Sequence, residues 1–163
     1  MNEISLDIVQ QTANAIKENP NLKMRDWSAH IQWQTGVQNK VAIRDFDSFL
    51  MDEPTTLGGT DKAPNPVEYL IAAAGSCFAI TFEVMASQQG IKLESVDVTI
   101  EADLNAAVFL GIEEGDGGIL NPVIKLKVKA GASQEQLTEI AHTALSKSPV
   151  LNSMNKEVRL VVE

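Results

Sequence analysis

The chain predicts an α+β fold built on mainly antiparallel sheets, and three features of the sequence predict it. Apolar residues alternate with polar ones at a period of two in some stretches and recur at helical spacing in others. The elements follow the order helix, strands, long helix, strand, strand, helix, strand, so strands come in runs instead of alternating strictly with helices. The long helix is apolar on every side over its first half and must therefore lie inside protein. With 163 residues the chain has the length of one ordinary domain, enough to bury a core without disulfides or metals.

Residues 4–18 read as the first helix, because Leu6, Val9, Ala13 and Ile16 share one stripe. Asn19-Pro20 stops it. Residues 26–51 read as strands. Trp27, Ala29, Ile31 and Trp33 alternate with Ser28, His30, Gln32 and Gln34; Thr35-Gly36 turns the chain; Val37 to Ile43 returns; Phe46 to Met51 adds a third strand. Residues 52–66, DEPTTLGGTDKAPNP, are dense in Gly, Pro and Asp and form a loop. Neither flank is long enough to fold alone, so the loop is read as the cover of a pocket and not as a linker.

The long helix spans residues 66–89. Asn65 is its N-cap, Pro66 takes the first helical position, and Glu68 reaches back to the cap. Gly90 ends it. The rod would be roughly 36 Å long. One small domain can hardly enclose it, which implies that a second subunit helps.

Val96, Val98, Ile100 and Ala102 alternate with Asp97, Thr99, Glu101 and Asp103 in the next strand. A short apolar patch, Ala106 to Ile112, leads into the acidic, glycine-rich loop GIEEGDGG. Ile124, Leu126, Val128 and Ala130 alternate with Lys125, Lys127 and Lys129 in another strand. Ser133 caps a helix, with Gln136 three residues on and a stripe of Leu137, Ile140, Ala141, Ala144 and Leu145. Ser148-Pro149 opens a short helical turn capped by Ser148, and Val158 to Val162 closes with a strand.

The charge balance, 13 basic against 22 acidic residues and net -9, removes two function classes. A nucleic-acid partner requires a basic footprint to displace counterions, and an anionic membrane surface repels the chain for the same reason. The longest apolar stretch, Leu70 to Phe82, contains Ser76, Cys77 and Thr81 and is too short to cross a bilayer. The first twenty residues carry acids and no continuous apolar block, so they do not read as a signal peptide. A cytoplasmic location is expected. One cysteine excludes an intrachain disulfide and a Cys-rich zinc site, and His30 and His142 stand far apart. No metal and no cofactor is expected.

Cys77 is the one residue with intrinsic redox chemistry. Burial among apolar groups makes a thiol inert, whereas a nearby cation, base or helix N-terminus activates it. Both readings stand on local features: a packed small hydrophobe or a nucleophile. Glu68 is an unsuitable partner, since nine residues at about 100° each place it on the opposite helix face from Cys77. A nucleophilic role for Ser148 would require a histidine base, and His142 does not share its face.

Several segments together resemble the OsmC/Ohr family, the osmotically induced and organic-hydroperoxide-resistance proteins. NPVEYLIAAAGSCF resembles the family's Pro-started helix with its A-A-A-x-x-C pattern. GIKLESVDVTIEAD is similar to its glycine and valine-rich strand, and ASQEQLTEIAHTALSKSPVLNSM to its final helix and thiol-Pro-Val turn. The resemblance covers roughly residues 25–163 of a single OsmC-like domain, 1–163, and leaves residues 1–20 as a helical extension.

The resemblance implies an OsmC-like fold: an intertwined homodimer whose long central helices are buried at its centre, with two equivalent sites at the subunit interface. It implies thiol-dependent reduction of organic hydroperoxides, in which a thiolate held ionised by an Arg–Glu pair becomes a sulfenic acid and a second cysteine resolves it. Cys77 matches the peroxidatic position. Ser148 stands where the resolving cysteine belongs, and Val67 where the glutamate belongs. Glu68 is turned by about 100° from that place. Arg25 and Arg44 lie in the region that supplies the arginine. The chain is thus expected to be a divergent, peroxidase-like member linked to oxidative stress, with a small organic hydroperoxide or related electrophile as substrate and an external thiol as reductant. A second reading is a non-enzymatic dimer that binds a small apolar ligand at its interface. A third has another chain supply the missing thiol.

Overall fold

The computed structural model describes residues 1–154 and 156–162. The elements are α1 (Leu6–Glu18), β1 (His30–Thr35), β2 (Gln38–Ala42), β3 (Phe49–Met51), α2 (Pro66–Gln88), β4 (Leu93–Leu104), α3 (Ala106–Phe109), β5 (Ile119–Ala130), α4 (Gln134–Lys147), α5 (Pro149–Ser153) and β6 (Arg159–Val162). Two 3-10 turns, Pro20–Lys23 and Thr55–Leu57, complete the order. The fold is α+β, as expected. The chain divides into two compact units, Gln11–Leu70 and Met1–Gln10 with Ile71–Glu163.

In the smaller unit β1, β2 and β3 form an antiparallel sheet in sequence order. Gly36, at φ 54, supplies the left-handed residue of the first turn. β1 starts later than the alternation suggests, so Trp27 precedes it, and both of its faces are exposed. Trp27, Ile31 and Trp33 are 79%, 57% and 68% exposed, so the alternating side chains do not build a core within the smaller unit. Val41 is buried, and the Phe49 and Tyr69 rings lie 5.0 Å apart.

The loop after β3 is tied to one carboxylate. Asp52, only 1% exposed, accepts hydrogen bonds from the Thr60 hydroxyl at 2.6 Å, the Glu53 N–H at 2.9 Å, the Gln38 amide at 3.1 Å, and the Thr60 and Lys62 N–H groups at 3.2 Å. The Thr60 hydroxyl and then the other donors hold its carboxyl far below the usual carboxylate range, against the opposing effect of burial. Gly59 passes so close to the Glu53 carbonyl that a Cβ would stand 1.7 Å from that oxygen. Asn65 then starts α2: its side chain accepts from the Glu68 N–H at 2.9 Å, and its N–H donates to Glu68 Oε2 at 2.7 Å. This is the reciprocal cap read from the sequence.

In the larger unit β4, β5 and β6 form a sheet in that order. β4 and β5 make a long antiparallel hairpin, with Val98 opposite Leu126 and Ile100 opposite Ile124. Its polar face carries Lys125–Glu101 and Lys129–Glu94 ion pairs at 2.6 and 2.7 Å. β6 runs parallel to β5, a departure from antiparallel pairing that the α4 and α5 crossover makes possible. Ser133 caps α4, as expected, by accepting from the Gln136 N–H at 3.2 Å.

α2 enters the core of this unit by one face. Ala74, Phe78, Phe82 and Ala86, spaced by four, are 0% exposed and join Ile124, Leu126, Ile140 and Ala144 in one cluster. The opposite side, Ala73, Ser76 and Ile80, is exposed. The expectation of burial on every side is therefore met on one face only within a single chain. By length and composition α2 would also suffice to cross a membrane, which the shorter stretch Leu70 to Phe82 did not suggest; its phenylalanines instead pack in this core. Near its C-terminal end the Asn2 amide donates to Ser87 Oγ at 2.8 Å and to the Ile91 carbonyl at 2.9 Å, and Asn2 accepts from the Leu93 N–H at 3.0 Å. The extension is thus joined to the turn that follows α2.

Candidate thiol site

Cys77 sits near the middle of α2, half-buried, as a free thiol. Its neighbour Phe78 points into the core, while Ser76 lies on the exposed side. At about 100° per residue, this places the sulfur at the border between the packed face and the bare one. The Cys77 carbonyl accepts a hydrogen bond from the Thr81 hydroxyl at 2.8 Å. That bond closes one turn of helix and involves the backbone, not the sulfur.

Beside this stretch, α2 and β4 enclose a groove of about 340 Å3. Its walls are Ala72, Gly75, Ser76 and Ala79 on the helix, and Val96, Val98 and Ile100 on the strand. Gly75 sets the approach: a Cβ there would stand 3.0 Å from Ile100 Cγ2. The groove is therefore narrow, and apolar except for one hydroxyl.

Ser148 belongs to the same unit, between α4 and α5. It is 0% exposed, and its hydroxyl has no hydrogen-bond partner among the described residues. The expected side-chain cap of α5 is therefore absent; the backbone does the work instead, the Asn152 N–H donating to the Ser148 carbonyl at 3.0 Å. Val67 lies half-buried in the first turn of α2, and Glu68 is occupied by the cap.

The two candidate arginines, Arg25 and Arg44, belong to the smaller unit. Arg25 lies exposed in the segment before β1. Arg44 takes a left-handed backbone, φ 50, and its guanidinium carbon stands 4.7 Å from the centre of the Phe46 ring. A non-glycine residue in that region is uncommon, and the stacking orients the planar cation. Arg44 also lines a cleft of about 440 Å3 with Asp26, Trp27 and Ile43. Of the two candidates, Arg44 is the one held in a defined orientation beside a cleft.

Asp52 is the residue that sequence reasoning missed. Aspartate in a Gly- and Pro-rich segment reads as a turn former, and its partner Gln38 lies fourteen residues upstream. The signal that could have found it is an acid directly after a short strand, ahead of the Gly58-Gly59 pair.

The family model described as OsmC-like protein matches residues 59–163, more than half of the chain. Solved structures share the fold. An OsmC-like protein from Mycoplasma pneumoniae superposes with a TM-score of 0.73 at 12% identity, over 85% of this chain and 96% of that one. An organic hydroperoxide resistance protein OsmC from Legionella pneumophila, described as a predicted redox protein, gives 0.67 at 22% identity, over 85% and 96%. An organic hydroperoxide resistance protein from Elizabethkingia anophelis gives 0.66 at 18% identity, over 86% and 95%. No curated protein matches the chain.

Proposed function

The chain belongs to the OsmC-like protein family, and from that premise we propose that it is a one-thiol protein of oxidative stress, reducing organic hydroperoxides or related electrophiles through Cys77. The observation that carries this reading is the placement of the chain's one cysteine thiol: half-buried, at the edge of a bare apolar helix face, and free of any disulfide. The hydroperoxide-resistance proteins from Legionella and Elizabethkingia that share the fold support the same chemistry.

The Cys77 thiolate attacks the distal oxygen of the hydroperoxide. An S–O bond forms, the O–O bond breaks, and the alkoxide leaves as an alcohol after taking a proton. Cysteine is oxidised to a sulfenic acid and the peroxide reduced. A small external thiol condenses with the sulfenic acid, releasing water and leaving a mixed disulfide; a second such thiol restores Cys77 and departs as the external disulfide. Ser148 cannot enter this cycle, because a hydroxyl closes no disulfide. Each reduction step is then bimolecular and slower than an intramolecular one. The family resemblance offers Arg25 and Arg44 as the cations that would hold the thiolate. We place two copies of the chain in the active form, with the bare side of α2 against its counterpart, and the protein in the cytoplasm, where small thiols are kept reduced.

Iodoacetamide labelling of Cys77 against pH, with and without tert-butyl hydroperoxide, tests the reading. The expected result is block of labelling by the peroxide, and loss of thiol-dependent peroxide consumption in Cys77→Ser. Labelling indifferent to the peroxide would end the enzyme reading. In that case the second reading takes over, a dimer that binds a small apolar ligand at its interface; the groove between α2 and β4 is apolar enough for such a ligand, and Cys77 is not among its lining residues.

A further inference from the structure

A cavity of about 670 Å3 lies in the larger unit, where β5 begins and β6 begins, and Cys77 is not among its lining residues. Its size falls in the range of small-molecule sites. An irregularity in the sheet shapes its wall. Glu101 pairs with Val123 but Asp103 with Leu120, so β5 carries an extra residue. Asn121 adopts a left-handed φ of 48 there and donates from its amide to Asp103 Oδ2 at 3.2 Å. Pro122 follows, with no N–H to withdraw from the ladder. Bulges of this kind interrupt pairing and re-aim side chains beside sites.

The floor of the cavity is apolar: Ile119 and Pro122 are buried, and Leu120 is half-buried. The rim is charged. Lys156 is ion-paired with Asp116, whose carboxyl it holds below the ordinary range. Arg159 and Glu157 form no ion pair among the described residues. The Lys156 charge is already compensated, so Arg159 is the cation available to a ligand.

We propose that this cavity is a second binding site, for a small monocarboxylate with an apolar body. Arg159 receives the carboxylate through two parallel N–H donors, a match of planar fork to planar acceptor that favours carboxylates. The apolar part lies on Ile119, Leu120 and Pro122. The rim carboxylate Glu157, in a chain of net charge -9, disfavours a dianion such as a phosphate monoester. The proposal goes beyond the thiol reading and uses none of its residues.

Titration calorimetry of the full-length chain with octanoate, a saturated acid that offers Cys77 no oxidant, tests it. One octanoate per chain is expected, with octyl phosphate and octylamine failing to compete. Arg159→Gln should weaken binding by at least about tenfold, the equivalent of about 1.4 kcal/mol, and Arg159→Lys, which keeps the charge but not the fork, by less. Arg159 is exposed on an edge strand, so the fold should survive, as near-ultraviolet dichroism can verify. Leu120→Trp, which fills the floor, should abolish binding independently of Arg159. Cys77→Ser should leave the affinity unchanged even if the thiol chemistry fails. Absence of saturable binding, or binding indifferent to both Arg159→Gln and Leu120→Trp, or binding lost in Cys77→Ser, would each overturn the proposal.

Discussion

At Ser148 a polar hydroxyl is sealed in the core without a partner among the described residues. A buried donor left unsatisfied carries a desolvation cost that no bond offsets. Ser148→Ala removes that group with little change in volume. It should therefore be neutral or stabilising, by up to about 1 kcal/mol, read as an unchanged or higher urea midpoint; a clear loss of stability would show that the hydroxyl has a partner after all. Asn65 presents the opposite case. Its side chain and that of Glu68 satisfy each other's backbone N–H groups, so Asn65→Ala should lower stability by about 1 kcal/mol, measured in the same titration. The contrast explains what could be read in advance. The Asn65 cap depends on residues three apart and was legible. The fate of the Ser148 hydroxyl depends on how α4, α5 and the core close around it, which no local pattern encodes.

The loop from 52 to 66 shows the same division at the level of an element. That it is a loop was plain from its glycines and prolines; that it is a built structure was not, because its organiser, Asp52, receives donors from β2 and from Thr60 and Lys62 as well as from its neighbour Glu53. The folded carboxyl titrates well below its unfolded value of about 3.9. The stability it confers is therefore complete above that value and disappears as pH falls through the lower, folded one. Pepsin digestion should find bonds of this loop protected near about pH 4 and cut progressively as acid is added. Asp52→Asn, which turns an acceptor-only group into one bearing donors, should be cut several-fold faster at both pH values, and equal cutting of the two proteins would refute the assignment. Gly59→Ala tests the loop from its backbone. A Cβ at 1.7 Å from the Glu53 oxygen cannot be accommodated by a rotamer change, so the chain must move, and the melting temperature should fall.

Over the whole molecule, the unsatisfied surface is apolar. The sequence reading of α2 demanded protein on all sides, yet the chain covers only the face of Phe78 and Phe82, leaving Ile80 at 57% exposed. The alternation in β1 was legible for the same reason and was equally incomplete: Ile31 and Trp33 follow a buried-strand pattern, yet both are exposed. A pattern that specifies burial while the monomer does not provide it is what a subunit interface leaves in a sequence. Sedimentation equilibrium should accordingly return twice the mass of the chain, and the emission of Trp27 and Trp33 should shift to the red as the protein is diluted below its dissociation constant. Ile80→Glu places a charge on the bare side of α2 while leaving the Phe78–Phe82 packing untouched. It should give single copies with exposed tryptophans, and it should abolish peroxide consumption along with the dimer if the thiol works at that interface. A wild-type chain that sediments as one copy would leave the helix uncovered, and the reading of Cys77 as part of a site at a subunit interface would go with it.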